Sequence, residues 1–132
     1  MESKWFTPEE ANALIPQLRE EIGALQRIKH DFEAKYRDLR KWKEAGAVTL
    51  NGEDPFFQIE CELEFMQLEA RTLIQSVHMK GAQLKDIDRG LVDFPAIRNG
   101  EEVLLCWMQD EPTVSHYHGL NEGYTGRKPL EE

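Results

Sequence analysis

The chain has 132 residues, of which 40% are hydrophobic and 31% charged, a balance typical of a single globular domain. The net charge is −9, and the densest basic segment, RDLRKWKE, is flanked by acids; nucleic-acid binders present a basic stripe to phosphates, so we expect no nucleic-acid partner. No apolar run approaches the ~20 residues that span a bilayer, and the N-terminus lacks the pattern of a secretory signal, so we expect a cytoplasmic protein without membrane contact.

The first predicted element is a long helix from Thr7 to Glu44. Thr7 is a typical N-cap, Pro8 suits the first helical position, and Glu10 completes a capping box. Pro16 lacks an amide donor and restricts the residue before it, so we expect a kink or a break there. Steps of three and four place the apolar residues on one helix face: Ala11, Ile15, Leu18, Ile22, Leu25, Ile28, Phe32, Tyr36 and Leu39. At 1.5 Å per residue the helix would be about 57 Å long, so part of it must lie against a partner.

A second predicted helix supplies that partner. Residues 46–54 indicate a loop with a turn at Asn51-Gly52, after which Asp54 is the expected N-cap, Pro55 a first-turn proline and Gly81 the end of the helix. Steps of three and four recur without exception and predict a coiled-coil-like seam: Phe56, Ile59, Leu63, Met66, Ala70, Leu73 and Val77. Two helices alone cannot cover both apolar stripes, so we expect a homodimer.

After Gly81 the apolar pattern changes to that of short strands. Turn-forming residues separate four runs rich in strand formers: Gln83 to Ile87, Leu91 to Phe94, Val103 to Met108 and Val114 to His118. Asn99-Gly100 predicts a hairpin, since both residues tolerate positive φ. The continuously apolar run from Val103 predicts a central strand covered on both faces, and the glycines after His118 predict an irregular tail.

These elements predict an α+β fold, in which a long antiparallel helical hairpin, its first helix kinked at a proline, precedes a small antiparallel sheet of about four strands. The chain forms one domain, residues 1–132. Within it we expect the hairpin over 1–81, the sheet over 82–118 and the tail over 119–132.

Polar residues are densest in the segment KDIDRGLVDFP. Asp86, Asp88 and Asp93 lie around one turn, with Arg89 among them. Such a cluster can bind a hard cation or act as an acid/base pair. Turn capping is the competing interpretation, because aspartate hydrogen-bonds neighbouring amides, and the spacing matches no calcium loop.

His116 and His118 are candidate metal ligands. Two-residue spacing on a strand puts both imidazoles on one face, where Asp93 or Glu111 could complete a site for zinc, iron or nickel. The competing interpretation is a half-exposed edge strand with two histidines. The two cysteines are isolated and expected to be reduced, and Cys106 is interpreted as a small buried hydrophobe.

Three blocks of the sequence carry a resemblance: FTPEEANALIPQLR, QLKDIDRGLVDFPAIRNGEEVLLCW and HGLNEGYTGRKPL. In this order and spacing they resemble a family of small bacterial proteins named domain of unknown function 2203, over nearly the whole chain. The name implies no activity. The resemblance does imply that the family's signature lies in the β-rich half and the tail: Asp86, Asp88, Gly90, Asp93, Pro95, Trp107, His118, Glu122, Gly123, Gly126 and Arg127.

Two functions are compatible with these features. The first is an interaction or scaffold protein that self-associates through its hairpin, where Trp5 and Trp42 are unassigned aromatics. The alternative is a small metal-binding module, or a metal-dependent enzyme, with a polar cluster of Asp86, Asp88, Arg89, Asp93, Glu122 and Arg127 and with metal ligands His116, His118 and Asp93. We expect Arg127 to pair with Asp86 or Asp88 in bidentate geometry. No catalytic motif is present, so whether the protein is an enzyme stays open; the scaffold hypothesis implies no cofactor and the alternative a divalent transition metal.

Overall fold

A computed structural model describes residues 4–46 and 54–131 of the chain. Two helices precede a sheet, which confirms the predicted α+β fold with its helical hairpin. The helices are α1 (Pro8–Glu44) and α2 (Phe57–Met79). The strands are β1 (Gln83–Asp86), β2 (Leu91–Arg98), β3 (Glu101–Met108), β4 (His116–Gly119) and β5 (Lys128–Pro129), with a 3-10 turn at Tyr124–Gly126 before β5. In this part of the chain no helix combines the length and apolar character needed to cross a membrane.

Helix α1 begins at the predicted capping box. The Glu10 amide donates to Oγ1 of Thr7 at 3.1 Å, and the Thr7 amide donates to Oε1 of Glu10 at 3.0 Å. The helix continues through Pro16 without a break, and the kink stays a prediction. Its first half packs on the sheet, whereas Leu25 and Leu39 are buried farther along the hairpin.

Helix α2 begins two residues later than the sequence predicts. Asp54 still caps a local amide, since its Oδ1 accepts a hydrogen bond from the Phe56 amide at 2.9 Å, but Phe56 is the N-cap. The turn expected at Asn51-Gly52 lies outside the described residues. All seam positions are buried or half-buried, with Val77 fully buried and Leu63 7% exposed, so the predicted apolar seam faces the interior.

The sheet is antiparallel throughout, with its five strands in chain order. Asn99 and Gly100 both have positive φ, at 54° and 80°, and form the predicted two-residue hairpin between β2 and β3. The tail differs from the prediction, because β5 pairs with β4 and gives the sheet a fifth strand. Pro129 is compatible with this position because an edge strand does not need every amide.

The two faces of the sheet have different contents. The face toward α1 is apolar, with Val92, Phe94 and Trp107 packed against the first half of that helix. The opposite face carries Asp93, Cys106 and His118, because successive residues of a strand point to opposite faces of the sheet. All three side chains are nevertheless buried. The polar residues of this second face form the candidate site.

Candidate metal centre

Strand pairing brings three chemically different side chains together. Asp93 of β2 pairs directly with Cys106 of β3, and His118 of β4 pairs with Leu104, two residues from Cys106. Directly paired residues project on the same face, and so does every second residue of a strand. Asp93, Cys106 and His118 therefore converge on one patch of the sheet.

The convergence is close and buried. Among the described residues, one carboxylate oxygen of Asp93, the sulfur of Cys106 and one ring nitrogen of His118 all lie within 4.8 Å of one another. The exposed fractions are 2% for Asp93, 0% for Cys106 and 2% for His118. Burying polar and charged groups is unfavourable unless they are paired or ligate a metal. Other interactions of the fold must therefore offset the free-energy cost of burying these three side chains.

His118 has one polar partner on each side of its imidazole ring, the Gly119 carbonyl and Asp93. Nδ1 lies 2.9 Å from the carbonyl oxygen of Gly119, which only accepts, so Nδ1 carries a proton. Nε2 then points its lone pair at Oδ2 of Asp93, 3.0 Å away. Two lone pairs at that distance repel unless a proton or a metal ion lies between them. Oδ1 of Asp93 is buried and has no hydrogen-bond partner among the described residues.

Cys106 is a protected thiol in this environment. Burial raises its pKa to about 11, and the negative charge of Asp93 adds to the rise, while Arg127 opposes it. At neutral pH the thiol stays protonated, and since nucleophilic cysteines need a lowered pKa and some exposure, Cys106 is unsuited to attack a substrate by itself. A coordinated metal ion would reverse this, because a thiol that ligates a metal loses its proton.

Arg127 and Glu111 form an ion pair beside the cysteine. Nη1 and Nη2 of Arg127 donate to the two carboxylate oxygens of Glu111 at 3.0 and 2.8 Å, a bidentate geometry, and Nη1 lies 4.0 Å from Sγ of Cys106. Burial alone would raise the pKa of Glu111, but the hydrogen bonds from Arg127 and the Met108 amide outweigh it and hold that pKa below its usual range. The pair fixes the tail against the β3–β4 loop next to the candidate ligands.

His116 lies outside the three-residue group. It shares a sheet face with His118, but its Nδ1 contacts Oγ of Ser115 at 2.9 Å and lies 3.9 Å from Oε2 of Glu111. The two histidines therefore have different partners, Glu111 for His116 and Asp93 for His118. The structure places Cys106, rather than His116, beside the predicted ligands Asp93 and His118.

The remaining predicted site residues do not join this group. Oδ1 of Asp86 accepts from the Arg89 amide at 3.1 Å, which is the turn capping weighed as the competing interpretation. Asp88 is exposed and pairs with Lys29 at 2.7 Å. Glu122 accepts from the Gly119 amide at 2.8 Å. The expectation that Arg127 pairs with Asp86 or Asp88 is wrong, because Glu111 occupies its guanidinium.

Cys106 is the member that the sequence reasoning missed, because a lone cysteine in an apolar run has the pattern of a core residue. A signal was present nonetheless. The two-residue turn at Asn99-Gly100 pairs Arg98 with Glu101, and counting back along both strands places Asp93 opposite Cys106. The position of His118 had no such signal.

The chain belongs to the family described as uncharacterized conserved protein, domain of unknown function 2203, which matches residues 4–130. This confirms the resemblance carried by the three sequence blocks. No curated protein and no solved structure matches the chain.

Proposed function

We propose that this protein binds a divalent transition metal, with Zn²⁺ as the best match, through Asp93, Cys106 and His118. The carrying observation is the convergence of a carboxylate, a thiol and an imidazole within 4.8 Å at a buried site. Thiolate and imidazole ligands favour zinc over the hard cations Mg²⁺ and Ca²⁺, which prefer oxygen ligands alone.

The surroundings of His118 support a ligand role. Histidines that bind metals usually donate their second ring N–H to a carbonyl or carboxylate, which fixes the ring and its tautomer. The bond from Nδ1 to the Gly119 carbonyl has this form and leaves Nε2 directed at the second proposed ligand, Asp93. The 3.0 Å between Nε2 and Oδ2 is close to the roughly 3.3 Å that separates two ligand atoms about 2.0 Å from a tetrahedral zinc.

Charge balance also supports the assignment. Ionised Asp93 and Cys106 together would neutralise a divalent ion, and Arg127 is already neutralised by Glu111. Three protein ligands leave one coordination position for water or a substrate, the pattern of catalytic zinc sites, whereas structural sites have four protein ligands. We therefore rank metal binding above the scaffold role that the sequence analysis placed first.

Metal content tests the proposal directly. Protein purified without a His tag should take up one equivalent of Zn²⁺ or Co²⁺ after chelator treatment, measured by elemental analysis. Co²⁺ should give the sulfur charge-transfer absorption of a thiolate ligand.

A matched pair of cysteine variants locates the ligand. Cys106→Ala should abolish the charge-transfer band, whereas Cys61→Ala should retain it, because Cys61 is exposed on α2. His118→Ala and His116→Ala form a second pair, of which only the first should lose the metal. Absence of stoichiometric uptake by the wild-type protein, or equal loss in both members of either pair, would refute the assignment.

A further inference from the structure

The three proposed ligands are closed off from solvent. Asp93 and His118 are each 2% exposed and Cys106 is 0% exposed. A metal ion therefore reaches these side chains only if part of the fold moves. Separation of the strands would destroy the site, because β2 and β3 share eight residue pairs and β4 carries His118 itself.

The segment between β4 and β5 can move at a lower cost. We call residues 120–127 the flap. None of these residues is buried, and three backbone amides of the flap donate to carbonyls only three residues earlier, those of Glu122, Gly126 and Arg127. Segments with little buried surface and local hydrogen bonds open at a lower free energy than a fully paired sheet.

Two side chains fasten the flap beside the candidate ligands. Arg127 makes the bidentate pair with Glu111, and its Nη1 lies 4.0 Å from Sγ of Cys106. The ring centroid of Tyr124 lies 4.4 Å from the guanidinium carbon of Arg127 and 4.7 Å from that of Arg89. Because Arg89 precedes β2 and Glu111 follows β3, both partners lie at the same end of the sheet. Release of these contacts would lift Arg127 away from Cys106.

We propose that the flap opens while the sheet stays folded, and that this opening admits the metal ion to its ligands. The inference rests on the proposed metal binding for the ion that enters. The opening itself is a property of the metal-free protein, so it can be measured without metal. The closed flap then separates the bound ion from solvent, as the lids of many binding sites do.

Labelling of the metal-free protein with N-ethylmaleimide, in chelator, measures the opening. Cys61 is exposed on α2 and gives the rate for an accessible thiol, and mass spectrometry of the two cysteine peptides separates its rate from that of Cys106. We expect slow labelling of Cys106 at a rate that does not change with urea below the unfolding transition, because a local opening exposes little surface. A rate with the steep urea dependence of global unfolding would overturn the proposal.

A variant without a change of charge assigns the opening to the flap. Tyr124→Leu removes the contacts with both guanidinium groups and should speed labelling of Cys106 about fivefold. Leu120→Ala changes a side chain of the same flap that is 53% exposed, and should leave the rate unchanged.

A second variant tests the ion pair. Glu111→Gln retains an acceptor for the Met108 amide but loses its charge toward Arg127, and should speed labelling about tenfold. Asp110→Asn removes the same charge from the neighbouring, exposed position and should have no effect. Equal rates in the two members of either pair would overturn the role of the flap.

Metal exchange separates the flap from the metal site. Tyr124→Leu should speed both the uptake of Co²⁺ and its release to a chelator about fivefold, and should leave the Kd unchanged, because the flap opens before either step. Absence of Co²⁺ uptake by the wild-type protein would refute the metal site and, with it, the entry of metal beneath the flap. Normal uptake, with labelling and exchange rates that Tyr124→Leu leaves unchanged, would overturn the flap alone.

Discussion

Replacing His118 with alanine tests whether Asp93 and His118 form one buried unit. Nε2 of His118 is the hydrogen-bond partner of Asp93 Oδ2 in the structure, and Oδ1 has none among the described residues. The variant would therefore leave a carboxylate that is 2% exposed without its donor. Removal of one member of a buried ion pair typically costs about 3–5 kcal/mol of stability.

We therefore expect His118→Ala to lower the free energy of unfolding of the metal-free protein by about 3–5 kcal/mol. Asp93→Ala should cost less, because His118 keeps its bond to the Gly119 carbonyl.

Urea unfolding in the presence of a chelator measures these energies, and a double-mutant cycle isolates the pair. The Asp93→Ala/His118→Ala variant should be more stable than the sum of the single losses predicts, with a coupling energy above about 1 kcal/mol. Asp93→Ala/His116→Ala is the matched control and should be additive, because His116 contacts Ser115 and Glu111. Additivity within about 0.5 kcal/mol for the His118 cycle would refute the buried pair.

Three further predictions concern the supporting structure. Thr7→Ala should lower the free energy of unfolding by about 1 kcal/mol through loss of the capping box, and an unchanged urea midpoint would count against it. Leu63→Ala should cost about 2–5 kcal/mol because the side chain is buried in the hairpin, and wild-type-like melting would contradict that burial. The lowered pKa of Glu111 should stabilise the protein above about pH 4.3, the ordinary glutamate pKa, and this contribution should be lost as the pH falls through the folded-state value. When unfolding is followed from pH 7 to 3, the difference in free energy of unfolding between the wild type and Glu111→Gln should therefore shrink in acid. A difference that stays constant over this range would show that it does not arise from the ion pair of Glu111 with Arg127.

Local chemistry explains which elements the sequence predicts well. The capping box needs only Thr7 and Glu10, and the hairpin turn needs only two residues that tolerate positive φ. The apolar spacing of α2 identifies its buried side because a helix repeats every 3.6 residues whatever it packs against. The start of α2 was misplaced because Asp54 can cap a turn as well as a helix. The sequence predicts an irregular tail because β5 forms only by pairing with the exposed edge of β4, and no local pattern in the tail indicates that pairing.

The candidate site likewise has one part that the sequence determines and one part that only the tertiary structure determines. By itself, the sequence determines that Asp93 faces Cys106, because a two-residue turn leaves one register for β2 and β3. The position of His118 follows from the longer connection between β3 and β4, whose conformation depends on contacts from distant residues. Arg19 of α1 donates to the Glu111 carbonyl at 2.9 Å, and Asn12 accepts from the Val114 amide at 2.7 Å. The tertiary structure alone therefore decides that an imidazole, a thiol and a carboxylate meet, because that loop takes its conformation from α1 and the tail.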